Sequence, residues 1–76
     1  MDFFLGQIIW VAFDFEINGF MKCDGRSLPI SQNQALYSLI GTKYGGDGVT
    51  IFMIPDMKTE TGSYQICIQG IYPSRN

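Results

Sequence analysis

Two stretches of period-two alternation, one near each end of the chain, limit the fold more than any other feature of the sequence. From Gln7 to Ile17, one side of an extended chain carries Ile9, Val11, Phe13, Phe15 and Ile17. The other side carries Ile8, Trp10 and Ala12, then Asp14 and Glu16. From Tyr64 to Tyr72, Tyr64, Ile66, Ile68 and Tyr72 alternate with Gln65, Cys67, Gln69 and Ile71. Side chains of a strand point alternately to its two faces, so both stretches read as strands, the first covered on both sides in its apolar half. Asn18-Gly19 takes positive φ at low cost and predicts a hairpin to a short returning strand, Phe20 to Cys23, ended by Asp24-Gly25.

One helical signal lies between them. Ser27-Leu28-Pro29-Ile30 reads as an extended connector, because the residue before proline avoids the helical region. Ser31 and Gln34 fit a capping box, and Ile30 is placed to staple onto Ala35. Ala35, Leu36, Leu39 and Ile40 form a stripe at helical spacing, with Gly41 placed for the C-terminal cap. The helix, at about residues 32–40, is too short to persist alone and must pack on the strands. Tyr44-Gly45-Gly46-Asp47-Gly48 is an irregular turn that lacks the Gly-Lys-Ser/Thr ending of a phosphate loop. Ile51 to Ile54 reads as a short strand stopped by Pro55-Asp56, and Lys58 to Gly62 as a polar connection. Gly70 marks a bulge or a close approach in the last strand. The expected fold is α+β, mainly β, a single domain over residues 1–76 with four or five strands and one short helix.

Composition narrows the function. The formal charge is −2, which argues against a nucleic-acid module, since that needs a basic face. Without histidine there is no Ser-His-Asp triad, no Cys-His pair and no mixed Cys/His zinc site. Cys23 and Cys67 allow one intrachain bridge at most, although cysteines inside apolar alternation are most often buried thiols. The apolar run from Phe3 to Phe13 follows Asp2 rather than a basic residue. It is also shorter than the ~20 residues of a spanning helix, so neither an export signal nor membrane insertion is expected. In a chain of 76 residues one core supplies only about 3–5 kcal/mol. The surplus of Phe, Ile, Tyr and Met therefore points to self-association.

Several stretches, in order, resemble a known family. They are Gly6-x-Ile8, Phe13, Gly19-Phe20-x-x-Cys23-Asp24-Gly25, the run Leu28 to Thr42, Tyr44 to Gly48, Phe52 and Pro55-Asp56. Together they resemble phage tail collar domains. The close of the chain, Gln69 to Asn76, is similar to that of the bacterial, microcystin-dependent-protein-like members. Two departures stand out. Phe20 stands where the family usually has tryptophan, and Met57-Lys58-Thr59 replaces a Leu-Arg-Gly-Arg-like stretch. Only Met57 to Ser63 separate Asp56 from Tyr64, where long relatives carry a variable region suited to receptor binding.

The resemblance implies a non-enzymatic structural module of a phage tail or tail-like appendage, a homo-oligomer (three-fold as first expectation) in contact with other tail proteins. Synthesis in the cytoplasm without a signal peptide, and location in the virion tail or an extracellular appendage, go with it. Phe3, Phe4, Trp10, Ile71 and Tyr72 are the candidate oligomer interface, and the strand edges around Phe3 to Val11 and in the last strand are expected to pair across subunits. Trp10 reads as core or interface. The alternative is a carbohydrate-binding adhesin contacting a surface glycan through Tyr44 and Asp47. Asp14 and Glu16 read as solvated charges at a strand end rather than a catalytic pair. Asp24, Asp47 and Asp56 read as turn residues rather than calcium ligands. No catalytic residue, cofactor or metal ligand is assigned.

Overall fold

The computed structural model describes residues 2–74, and Arg75 and Asn76 of the expected polar terminus lie outside them. The chain forms β1 (Ile8–Val11), β2 (Phe20–Lys22) and β3 (Ser27–Pro29), then a turn of 3-10 helix at Ile30–Gln32. After α1 (Gln34–Ile40) come β4 (Ile51–Met53) and β5 (Ser63–Cys67). Over the described residues the architecture is mainly β, five strands in two antiparallel sheets plus one short helix. One sheet has the order β1-β5-β2 and the other pairs β3 with β4.

The β1–β2 hairpin expected at Asn18-Gly19 does not form. The turn itself is present, with the Phe20 N–H bonded to the Ile17 carbonyl at 2.8 Å and Gly19 at φ 89°. However, β5 lies between the two strands, with Ile8 opposite Ile66 on one side and Met21 opposite Ile66 on the other. A last strand that is buried on both faces is more stable in the middle of a sheet than at its edge, and Ser63, Gln65, Ile66 and Cys67 are all buried. This placement also overturns the expectation that the last strand pairs across subunits. Both of its edges are occupied within the chain.

Strand β1 is shorter than its alternation predicts. Its last pair is Val11 with Ser63, where β5 begins, so residues after Val11 have no ladder partner. The N-terminal segment Phe3–Leu5 pairs with Ile71, through Leu5 N–H to Ile71 O at 2.8 Å and Ile71 N–H to Phe3 O at 2.9 Å. Regular pairing in β5 stops at Cys67 rather than running to Tyr72. Gly70 is the expected close approach, since a Cβ there would stand 2.5 Å from Phe3 O and 2.6 Å from Cys67 Sγ.

Between β1 and the N-terminal segment sits a G1 bulge. Gly6 has φ 86°, its N–H donates to Cys67 O at 2.9 Å, and the Cys67 N–H donates to Gln7 O at 2.9 Å. Helix α1 packs on this bulge, with Leu36 and Leu39 Cδ1 atoms 3.7 and 3.8 Å from where a Gly6 Cβ would be. The helix begins later than expected. Asn33 is its N-cap residue and no side chain caps it, so the Ser31–Gln34 box is not made. The 3-10 turn at Ile30–Gln32 takes up the residues that would have formed the box, and Ala35, expected at a staple, faces solvent. Gly41 closes the helix at φ 54°, with its N–H on Tyr37 O at 2.7 Å.

Ser27–Pro29, expected as a connector, is strand β3, with Leu28 opposite Phe52. The core unites both sheets and the helix through Leu5, Cys23, Leu28, Leu36, Phe52, Ile54 and Ile66. Phe52 is completely buried, and the Tyr37 ring meets it edge-on at 5.3 Å. Burying a side chain of this size contributes about 1.5–3 kcal/mol.

Candidate assembly surface

Past Val11 the chain turns back over the face of β5 that carries Ser63 and Gln65. Side chains, not a ladder, hold it there. Ser63 Oγ donates to Phe13 O at 3.3 Å, Gln65 Nε2 donates to Phe15 O at 2.8 Å, and Gln65 Oε1 accepts from Ile17 N–H at 3.0 Å. Gln65 Nε2 also donates to Ser63 Oγ at 2.9 Å. Each polar group buried on β5 thereby gains a partner, as the low dielectric of the interior demands.

A second tie comes from outside the sheet. Glu16 Oε2 accepts from the Lys22 N–H at 2.8 Å and from Arg26 Nη2 at 2.9 Å. Arg26 also grips Asp24 through Nε and Nη2, the latter at 2.7 Å. Arg26 bonding holds the Asp24 carboxyl below the usual carboxylate range. Asp14 and Glu16 are both exposed.

Fixed at three backbone atoms, the segment presents Phe13 and Phe15 outward. Their rings stack at 4.4 Å with an interplanar angle of 20°, and Phe15 is 66% exposed. Trp10 is 49% exposed and therefore not a core residue. Its ring rests on Gly62, with Cζ2 2.8 Å from where a Cβ would stand. Sequence reasoning missed Phe13 and Phe15 as surface residues, and the signal was available. A glutamine next to the apolar run Ile66-Cys67-Ile68 needs buried partners, and a returning backbone supplies two of them.

The remaining candidates form separate groups. Phe3 meets Phe20 edge-on at 5.1 Å and is half-buried. Phe4 and Ile71 face each other as bridge partners and are 55% and 50% exposed. Tyr72 is bonded to Ser38 Oγ at 2.8 Å. These four lie at the bulge end of the three-stranded sheet, and Trp10 lies at the other end of β1. Tyr44 stands beside the glycine turn with the Lys43 ammonium 5.6 Å from its ring centre. Asp47 organises that turn. Its Oδ1 accepts from Val49, Thr50 and Ile51 N–H, and its Oδ2 from Thr50 Oγ1. Those bonds, the Ile51 N–H foremost, hold its carboxyl far below the usual range.

Cys23 and Cys67 are buried and unbridged. Burial, then the charge of Asp24, pushes the Cys23 thiol up to about 11. Among the described residues, no group of three or more acidic or thiol side chains is placed to hold a metal, and no helix is long and apolar enough to cross a membrane.

The sequence model of the phage tail collar domain matches residues 6–62, from the bulge through the connection before β5. The chain belongs to the phage tail collar domain family. Family membership points to a structural module of the phage tail and to a virion tail location. No curated protein matches the chain. The matched span of this collar domain holds β1 to β4 and α1, together with the Phe13–Phe15 shelf and the Asp47 turn. The anchors of that shelf, Ser63 and Gln65, follow immediately after it.

Proposed function

We propose that this collar domain is a non-enzymatic building block of a phage tail or tail-like appendage, self-associating and contacting other tail proteins through apolar surface. One observation carries the reading. Trp10, Phe13 and Phe15 are held out to solvent by part-buried hydrogen bonds and by packing on Gly62, so their exposure is built into the fold rather than left over from it. Large aromatic residues kept at a surface are characteristic of protein interfaces.

Electron microscopy of tail particles labelled with an antibody against the chain tests this. Label on the tail or appendage is expected, and particles lacking the chain would refute the reading. The rival, a glycan-binding adhesin using Tyr44 and Asp47, predicts a glycan-array signal that Tyr44→Ala abolishes. The building-block reading predicts background. Asp47 already directs both carboxylate oxygens into its own turn, which favours the building block.

A further inference from the structure

The two outer edges of the β1-β5-β2 sheet are treated differently. At β2 the Lys22 N–H is capped by the Glu16 carboxylate, which Arg26 holds in place, and Asp24 bridges to Asp56. At β1, among the described residues, no hydrogen bond reaches the outer side. The bulge at Gly6 sets which groups face outward. Because Gln7 and Cys67 are hydrogen-bonded, the alternation of an antiparallel ladder directs Ile9 and Val11 towards β5 and the main-chain groups of Ile8 and Trp10 away from it. The bond from Cys23 N–H to Tyr64 O confirms the parity from the other side of β5. Ile8-Ile9-Trp10-Val11 contains no charge, proline or internal bulge, the devices that usually blunt an edge.

We infer that the outer edge of β1 is a self-recognition edge, at which β1 strands of two copies pair antiparallel about a twofold axis. This deepens the building-block reading and rests on it. The occupant must offer main-chain donors and acceptors in extended form, and no charge, because a charge brought against Ile8 and Trp10 would be desolvated without a partner. A second β1 meets both conditions and is self-complementary. Aromatic groups flank the edge on both faces. Trp10 shares its face with Tyr64, while Phe13 and Phe15 hang from the segment bonded to Ser63 and Gln65 on the opposite face. An added strand is therefore gripped from both sides.

The area fits a weak pair. The accessible surface is 5078 Å², against roughly 4,700 Å² for a monomer of this mass. The three aromatic side chains expose about 300 Å² per copy, and with the strand edges the interface reaches about 1,000 Å² in total, the lower bound for a specific one. An interface this small belongs to the weak class, and crowding of copies in an appendage makes such an edge effective. Isologous pairing closes at two copies, so this edge builds a dimer rather than the three-fold assembly first expected.

Sedimentation velocity on the full chain, with Trp10→Lys and Phe4→Lys beside it, tests the edge, together with residue-resolved amide exchange of the wild-type chain. The expected result is a wild-type dimer, weakened at least about tenfold by Trp10→Lys and unaffected by Phe4→Lys. Ile8 and Trp10 amides should gain protection as concentration rises, while Ile9 and Val11 are protected throughout. The exchange pattern decides the matter even if Trp10→Lys fails to fold. Association with Ile8 and Trp10 amides left fast, or into trimers, would overturn the edge and leave the building-block reading standing. A chain that stays single at every concentration would overturn both.

Discussion

Gln65 holds the backbone of Phe15, fifty positions earlier in the chain, by a 2.8 Å bond from Nε2 to the Phe15 carbonyl, and Gln65 itself is completely buried. That single relationship turns an apolar segment that would otherwise collapse into the core into a shelf facing solvent. It also sets the first prediction. Gln65→Leu keeps the volume but leaves the Ile17 N–H and Phe15 carbonyl without partners. A loss of about 2–3 kcal/mol is expected in denaturant unfolding, together with weaker Phe13–Phe15 stacking seen in ring-current shifts.

Arg26 ties the same segment from outside, but both of its ion pairs are substantially solvated. Arg26→Ala should cost under about 1 kcal/mol, and less at high salt. A loss much larger than this in a salt-dependent unfolding series would mean that the clamp, rather than Gln65, positions the shelf.

Close backbone approach makes some glycines irreplaceable and others merely convenient. At Gly62 a Cβ would collide with the Val11 carbonyl and the Trp10 ring, whereas at Gly41 nothing stands within 4 Å. Gly62→Ala should destabilise by more than about 3 kcal/mol, as a core clash does. Gly41→Ala should cost about 1–3 kcal/mol through its positive-φ backbone alone. Melting temperatures of the two variants check the ranking.

Two groups give the pH behaviour a definite sign. The Asp47 carboxyl is held low in the folded chain, so its contribution is present above the ordinary value of about 3.9 and fades only as pH falls towards the lower folded value. Carboxyl-carbon titration should show Asp47 turning over well below an ordinary aspartate. Cys23 is raised to about 11, so its contribution is complete below the ordinary thiol range and is lost as pH rises from there through the folded value. At pH near 8 both thiols should resist a disulfide reagent until denaturant is added.

The helix and the turns were legible in the sequence because their signals are local. The Leu36, Leu39 and Ile40 stripe, the Gly41 stop and the glycine-rich turn all appear where short-range chemistry puts them. The pairing of strands was not legible from Asn18-Gly19, since a turn is local but a ladder depends on which partner buries more surface. β5, buried on both faces, took the central place that the hairpin needed. The capping box failed for a similar reason, as β3 pairing and the 3-10 turn claimed the residues before Gln34. Alternation alone did not reveal the exposure of Trp10, Phe13 and Phe15, because it reports periodicity and not which side is covered; for Phe13 and Phe15 the clue was Gln65.

Sedimentation equilibrium of the full chain from about 1 to about 500 μM tests most directly whether surface held open by this fold is surface for assembly. The weight-average mass should start near 8.6 kDa and climb towards twice that value with concentration. A mass fixed at that of the single chain across the whole range would contradict the account.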